Sequence, residues 1–492
     1  MGKRALNFIL AAALVISLSA CGGAPDTGST SAPADVSVST PEVQPEAASP
    51  TLPYYPGQSL HPILSDDRIN RTLSPLLYEG LFRLDTSFSP IPVLCRYYSI
   101  SADGLSWTFT LRDDVTFSDG TPLTASIAAD TLSLARSGSY SGRLSCISAI
   151  SADEEGRLIL SLSRPNYGLP ALLDIPIVLG AGDRPLGTGP YVLSGSQLTL
   201  RDDWWQRSAM PYPVIDLFPL SDPEQLKSAF DRQQLSLLNT DPTSTAAAGF
   251  TGIYDTVEYD TTALIYLGFN TNRRPLQDPD VRAAISAALD RSSLVSAAWS
   301  GHARATTLPI HPASPFHDAS LTFSLSGDPR PLSQLGLDGT SLSLLVCSDN
   351  AAKLTAARFL ARQLDKAGIT VQVRALNWGE YLSALNAGQF DLYLGETILT
   401  ADFDLTHLLA SDGSLNYGGW HSTTGNQLLR ALCSAPEDER RLAAADLCAF
   451  FRTQTPIAPL CFKRGCVLTQ WNALPTLSPT RDNVFYSWFS GS

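Results

Sequence analysis

Basic charge, clustered metal ligands, phosphate-binding glycines and long apolar runs are all scarce in this sequence, and each shortage closes a class of function. Lys and Arg number 34 against 47 Asp and Glu, for a formal net charge of −13. A surface of that sign repels phosphate backbones, so no nucleic-acid partner is expected. Eight cysteines in 492 residues, with no Cys-x-x-Cys, are too sparse for a disulfide-knit scaffold and offer no ribbon-type zinc or redox site. The six histidines are scattered, and His302, His311 and His317 lack the i, i+4 spacing of a helical zinc site. No Gly-Lys-Ser or Gly-Lys-Thr follows Gly187-Thr188-Gly189, which therefore reads as a turn requiring positive φ rather than a phosphate loop. Gly138-Ser139-Tyr140-Ser141-Gly142 has a tyrosine where a nucleophile elbow needs serine. Neither a catalytic residue nor a metal or cofactor is assigned.

What is present is apolar mass: 44% hydrophobic residues with only 16% charged, enough for a large core, in a chain too long for one compact domain. Two or three lobes are expected. The single long apolar run covers residues 5–20 after Lys3 and Arg4, an export signal shorter than the roughly 20 residues of a spanning helix. It ends Leu18-Ser19-Ala20-Cys21-Gly22, which resembles a bacterial lipobox and implies cleavage ahead of Cys21 and a lipid on its sulfur. An ordinary signal peptide that happens to contain a cysteine is the alternative. Residues 22–49 contain no aromatic residue, no Leu or Ile, and no Lys or Arg, so they bury too little to offset chain entropy. The segment 21–51 is accordingly a lipidated cysteine and a disordered tether to a body that begins near Tyr54. The body is placed at the outer surface of the cell membrane.

In that body Leu105, Trp107, Phe109 and Leu111 alternate with polar residues, as do Leu158, Leu160 and Leu162, each the mark of a strand with one buried face. Thr124 is placed to cap a helix over residues 125–136 and Asp280 one carrying Val281, Ala284, Ile285, Ala288 and Leu289 on a single stripe. Residues 342–346, a helix over 351–367 closed by Gly368, and the alternating Ile369, Val371 and Val373 form a β-α-β unit. A helix over 378–385, closed by Gly388, leads into an apolar strand over 390–394.

Several segments, in order, resemble the family 5 extracellular solute-binding proteins, the peptide and nickel type that feed ABC importers. They are Leu77-Tyr78-Glu79-Gly80-Leu81-Phe82, Asp103-Gly104-Leu105, Phe117-Ser118-Asp119-Gly120-Thr121-Pro122-Leu123-Thr124-Ala125, and Pro185-Leu186-Gly187-Thr188-Gly189-Pro190-Tyr191. Leu267-Gly268-Phe269-Asn270-Thr271 follows, with Pro275, Asp278, Val281-Arg282 and Asp290-Arg291 at the family's spacing, and then Phe390-Asp391-Leu392. The resemblance implies an α/β (α+β) fold of the type II periplasmic-binding-protein kind, with three lobes and a hinged cleft between the first and third. In chain order, lobe I would take 52–75, 180–260 and 471–492, lobe II 76–179, and lobe III 261–470.

Peptide-binding members hold the ligand's ammonium with an aspartate in an Ala-Asp-aromatic segment, and Thr400-Ala401-Asp402-Phe403-Asp404 occupies that place. Asp402 is the implied anchor, with Asp404 the alternative in a shifted register and a solvated acidic loop the plain reading of both. Asn416-Tyr417-Gly418-Gly419-Trp420 resembles the stretch that follows, so Asn416, Tyr417 and Trp420 are implied pocket-wall residues, against a packed loop as the simpler use. No arginine can be matched to the ligand's carboxylate. Seven cysteines remain after Cys21, and Cys461 and Cys466 can pair only if the chain turns between them.

The function implied is a monomeric substrate-binding lipoprotein that captures a short peptide and delivers it to a membrane permease driven by an ATPase. A nickel chelate or oligosaccharide is the alternative within the scaffold. An envelope hydrolase using Asp402 and Asp404 as paired carboxylates is the alternative from another class.

Overall fold

The computed structural model describes residues 49–206, 210–243, 250, 253–337, 339–470, 474 and 477–489. The export signal, Cys21 and nearly all of the tether fall outside them.

The alternating residues build a four-stranded antiparallel sheet in the order Cys95–Ile100, Ser106–Leu111, Leu158–Leu162, Ile147–Ala152. Trp107, Phe109, Leu158 and Leu160 turn to one face and are buried. Helix Ala125–Ser137 closes that face with Ala128, Leu132 and Ala135, and Thr124 Oγ1 starts it by accepting the Ile127 N–H at 3.3 Å.

A second sheet sets Thr51–Tyr54 parallel to Val214–Pro219, with Gln197–Leu200 and Tyr191–Ser194 antiparallel beyond it. Its core gathers Tyr191 and Ile215 with Phe485 and Trp488 from the far end of the chain. Gly187 and Gly189 sit beside this core, and neither has positive φ. They are glycines because a Cβ would stand 2.0 Å from the Leu77 carbonyl oxygen at Gly187 and 2.5 Å from the Leu77 carbonyl carbon at Gly189. Close backbone approach, not turn handedness, sets that motif.

The largest sheet has the order Leu237–Thr240, Ile457–Gln470, Tyr254–Phe269, Leu392–Ile398, Ser341–Cys347, Thr370–Leu376, with Ala303–Ala305 also on Ile457–Gln470. The β-α-β unit is there: helix Ala351–Lys366 joins two parallel strands and ends before Gly368 at φ +97°. Both faces are covered, Leu264 and Tyr266 pointing into one core and Ile265, Leu267 and Phe269 into another. The helix assigned a cap at Asp280 begins earlier. Asp278 is its cap, accepting the Asp280 N–H at 2.9 Å, and Pro279 takes the first turn, where a missing N–H costs nothing. The seven described cysteines are buried free thiols, and Cys461 and Cys466 lie on one extended strand and reach different cores.

The two long strands, Tyr254–Phe269 and Ile457–Gln470, run between these bodies. Tyr259 and Val467 belong to the core of the second sheet, whereas Leu264 and Phe462 belong to the large sheet's core. Between the two stretches the ladder slips: Asp260 pairs with Arg464 and Leu264 with Phe462, so residues 261–263 oppose Lys463 alone. Hydroxyls fill the gap, Thr261 Oγ1 donating to the Lys463 carbonyl at 2.6 Å and Thr262 Oγ1 to the Leu399 carbonyl at 2.6 Å.

The wrap around the large sheet is secured by a buried cation. Arg291, fully buried, donates to the Pro459 carbonyl at 2.7 Å, the Ser286 carbonyl at 2.9 Å and the Leu289 carbonyl at 3.2 Å. Burial pushes its guanidinium down to about 9. Arg291→Met leaves three carbonyls without their donor, and urea unfolding should show a loss of about 3 kcal/mol or more.

Candidate ligand-binding site

A cavity of about 810 Å³ opens at the register slip, lined by Thr261, Thr262, Ala263, Lys463, Arg464 and Gly465 on the two long strands. Across it stand the loop after helix Ala125–Ser137, with Tyr140 and Arg143, and the turn that carries Asp402 and Asp404. A second cavity of about 510 Å³ shares part of this wall and runs on toward Glu79 and Arg83.

The turn at 400–404 is rigidly held. Thr400 Oγ1 donates to Asp402 Oδ1 at 2.5 Å, the Asp404 N–H to the same oxygen at 3.3 Å, and Asn166 Nδ2 to Asp402 Oδ2 at 2.9 Å. Arg440 Nη2 donates to the Asp402 carbonyl at 2.7 Å, and Phe403 takes φ +52° at the centre of the turn. Asp402 is thus on the cavity wall but only 1% exposed. Asp404 pairs with Arg164 at 2.6 Å; burial alone would push its carboxyl up, but the Arg164 charge and the Thr406 hydroxyl outweigh that and hold it below its ordinary value. The 164–168 loop approaches this turn so closely that a Cβ on Gly168 would lie 2.5 Å from the Asp402 Cβ.

Asn416, Tyr417 and Trp420 are brought together, but not onto either cavity. Asn416 Nδ2 donates to the Trp420 carbonyl at 2.7 Å and the Ala410 carbonyl at 3.1 Å, closing its own loop. Tyr417 stands edge-on to Tyr393 with centroids 6.0 Å apart, and Trp420 packs against Phe451 at 5.5 Å. From that loop Ser414 and Leu415 reach the cavity instead.

Several wall residues have no motif to announce them. Lys463 Nζ pairs with Asp241 at 2.8 Å and Glu396 at 3.6 Å, and these carboxylates raise its ammonium although burial opposes it. Arg143 and Arg481 converge on Asp174, the latter at 3.2 Å. Nothing near them in the sequence separates them from the other basic residues.

The family model "Bacterial extracellular solute-binding proteins, family 5 Middle" matches residues 89–416. The chain belongs to this family. As a family 5 solute-binding protein it is the extracytoplasmic binding component of an ABC importer, in a family that binds substrates rather than transforming them. It is 25% identical over 428 residues to the glutathione-binding protein GsiB of Salmonella paratyphi A, covering 79% of this chain and 80% of that one. The GsiB of Pectobacterium atrosepticum is 26% identical over 365 residues, with 65% and 68% covered. Among solved structures the fold matches the ABC transporter substrate-binding protein CtaP of Listeria monocytogenes, with TM-score 0.71, 18% identity, and 89% and 98% of the chains covered. The oligopeptide-binding protein AppA of Bacillus subtilis, solved with a nonapeptide, matches with TM-score 0.61, 18% identity, and 89% and 97% covered. Among the described residues no helix is long and apolar enough to cross a membrane, and no group of three His, Cys, Asp or Glu is disposed to hold a metal.

Two motifs of this binding protein meet at the second cavity. Glu79 accepts from Thr188 Oγ1 at 2.9 Å and from Trp205 Nε1 at 2.9 Å. Burial pushes its carboxyl up from 4.5 to about 7 against those two donors. Between these values the folded chain binds more protons than the unfolded chain, so stability falls as pH rises through the window and levels off above it. Glu79→Gln should flatten the dependence of the thermal midpoint on pH between 5 and 8 and raise the midpoint at pH 8.

Proposed function

We propose that this protein captures a short peptide, from a dipeptide to an oligopeptide, by closure of lobes around the cavity at the register slip, and hands it to the permease of an ATP-driven importer. The observation that carries this reading is the cavity itself. Its volume, about 810 Å³, suits a ligand of short-peptide size, and its wall mixes carboxylates with guanidiniums as a zwitterion requires. The relatives named for glutathione, itself a peptide, support the same ligand class. No chemical step is assigned to the wall, and the protein acts as a monomer.

The lobes we propose are 52–75, 180–260 and the C-terminal tail for the first, 76–179 for the second, and 261–470 for the third. Closure bends the two long strands where residues 261–263 face Lys463. Within the 261–470 range the stretch 466–469 is the exception, since it pairs with Leu237–Thr240 and moves with the first lobe.

Asp402 is the proposed ammonium anchor. Its carboxylate already receives an N–H from Asn166, so the ligand's ammonium takes that amide's place. Calorimetry with trialanine and its N-acetyl derivative tests this. Asp402→Ala should weaken the free amine about tenfold to hundredfold, the worth of a charge-assisted hydrogen bond, and leave the acetylated peptide nearly unchanged. Equal losses would remove Asp402 from the role, and no heat with any peptide would remove peptides as the ligand.

Cys21 is proposed to carry the lipid that holds the protein at the outer face of the membrane. Cys21→Ser should move the protein from the membrane fraction into the soluble fraction, read by fractionation and by the mass of the mature N-terminus.

A further inference from the structure

A short hairpin, Phe82–Leu84 paired antiparallel with Pro90–Pro92, belongs to two bodies at once. Phe82 at its root lies in the core of the four-stranded sheet, whereas Leu84 and Phe88, toward its tip, lie in the core of the large sheet. Asp85 builds the tip: its Oδ1 accepts the Ser87 N–H at 2.8 Å, the Ser89 N–H at 2.9 Å and the Ser87 hydroxyl at 2.7 Å. The turn so formed carries Phe88 at φ +66° with its side chain buried. A bulky residue persists in that left-handed conformation only where its surroundings compensate the strain.

The compensation is an aromatic seat. The Phe88 ring stands edge-on to His311, with centroids 5.0 Å apart, and to Phe403 at 5.8 Å. His311 in turn meets Phe462 at 4.6 Å, and Phe462 pairs with Leu264 beside the register slip. Burial pushes the His311 imidazole down to about 4, and its Nδ1 accepts the Ala313 N–H at 3.0 Å, so the seat is uncharged at neutral pH. Phe403, itself at φ +52° and buried, is the centre of the turn that carries Asp402 and Asp404. Two strained phenylalanines thus bury their rings against each other, and whatever unseats one removes part of what holds the other.

We propose that Phe88 is a positioning residue for ligand capture: seated between His311 and Phe403, it holds the 400–404 turn against the long strands in the geometry that lines the larger cavity. Phe88 lines neither that cavity nor the second, so it acts through the turn. The proposal rests on the reading of the larger cavity as the ligand site. A chain whose turn is assembled only part of the time has its affinity reduced by that fraction.

Phe88→Gly is the informative variant, because glycine takes φ +66° freely and Asp85 keeps its bonds, so the tip retains its turn and loses only the plug. Leu385→Ala, a truncation in the same core on helix Trp378–Asn386, controls for general loosening. Both should lower the thermal midpoint. Only Phe88→Gly should speed amide exchange in the 400–404 turn, by about tenfold, and weaken trialanine by about the same factor in calorimetry. Phe88→Leu, which keeps an apolar plug, should fall between it and the unmodified protein in both measures, and it takes the place of the glycine variant should that one not fold. Turn exchange unchanged in the Phe88 variants, affinity unchanged while the turn exchanges faster, or the same two losses in Leu385→Ala would each overturn the positioning role. If trialanine does not bind the unmodified protein, the peptide reading is lost, and exchange of the turn alone decides the role of Phe88.

Discussion

The structure depends on the antiparallel pairing of two long strands, Tyr254–Phe269 and Ile457–Gln470, and on the slip within it. On either side of the slip each half is committed to its own core, and a second, smaller shift follows where Ile265 pairs with Cys461 and Tyr266 with Pro459. At the slip, three residues face one. The ladder loses backbone partners there, and the Thr261 and Thr262 hydroxyls donate to the Lys463 and Leu399 carbonyls without restoring the register. The cavity opens at this place because the slip turns the side chains of Lys463 and Arg464 and the bulged threonines toward it. Under the proposed function, binding and bending fall to one set of residues, which would couple ligand occupancy to lobe position.

A second set of contacts works against that freedom. The 164–168 loop reaches the Asp402 turn through Arg164 to Asp404, Asn166 to Asp402, and the Tyr167 N–H to the Cys433 carbonyl at 2.9 Å. These are charged or polar groups meeting across separate bodies, and their geometry is complete without a ligand. In the proposed role of ammonium anchor, Asp402 would gain from a ligand only the difference between an ammonium and the Asn166 amide as donor, a difference that favours a cationic amine over neutral groups.

Much of this was legible from the sequence, and the parts that were not share a cause. The strand holding Trp107 and Phe109 was readable because only one of its faces is buried, and the Ala351–Lys366 helix because its stripe and its terminal glycine agree. The strand holding Leu264 to Phe269 shows no alternation, because its two faces enter two different cores. Gly187 and Gly189 were visible as special residues, but the reason lies in the Leu77 backbone, more than a hundred residues away. The motif located Asp402; its burial depends on Asn166 and Gly168, which local pattern cannot connect to it. Asn416 and Trp420 kept the expected sequence, yet their polar atoms close their own loop. Arg143 and Arg481 become a pair only through Asp174, and no periodicity encodes that meeting.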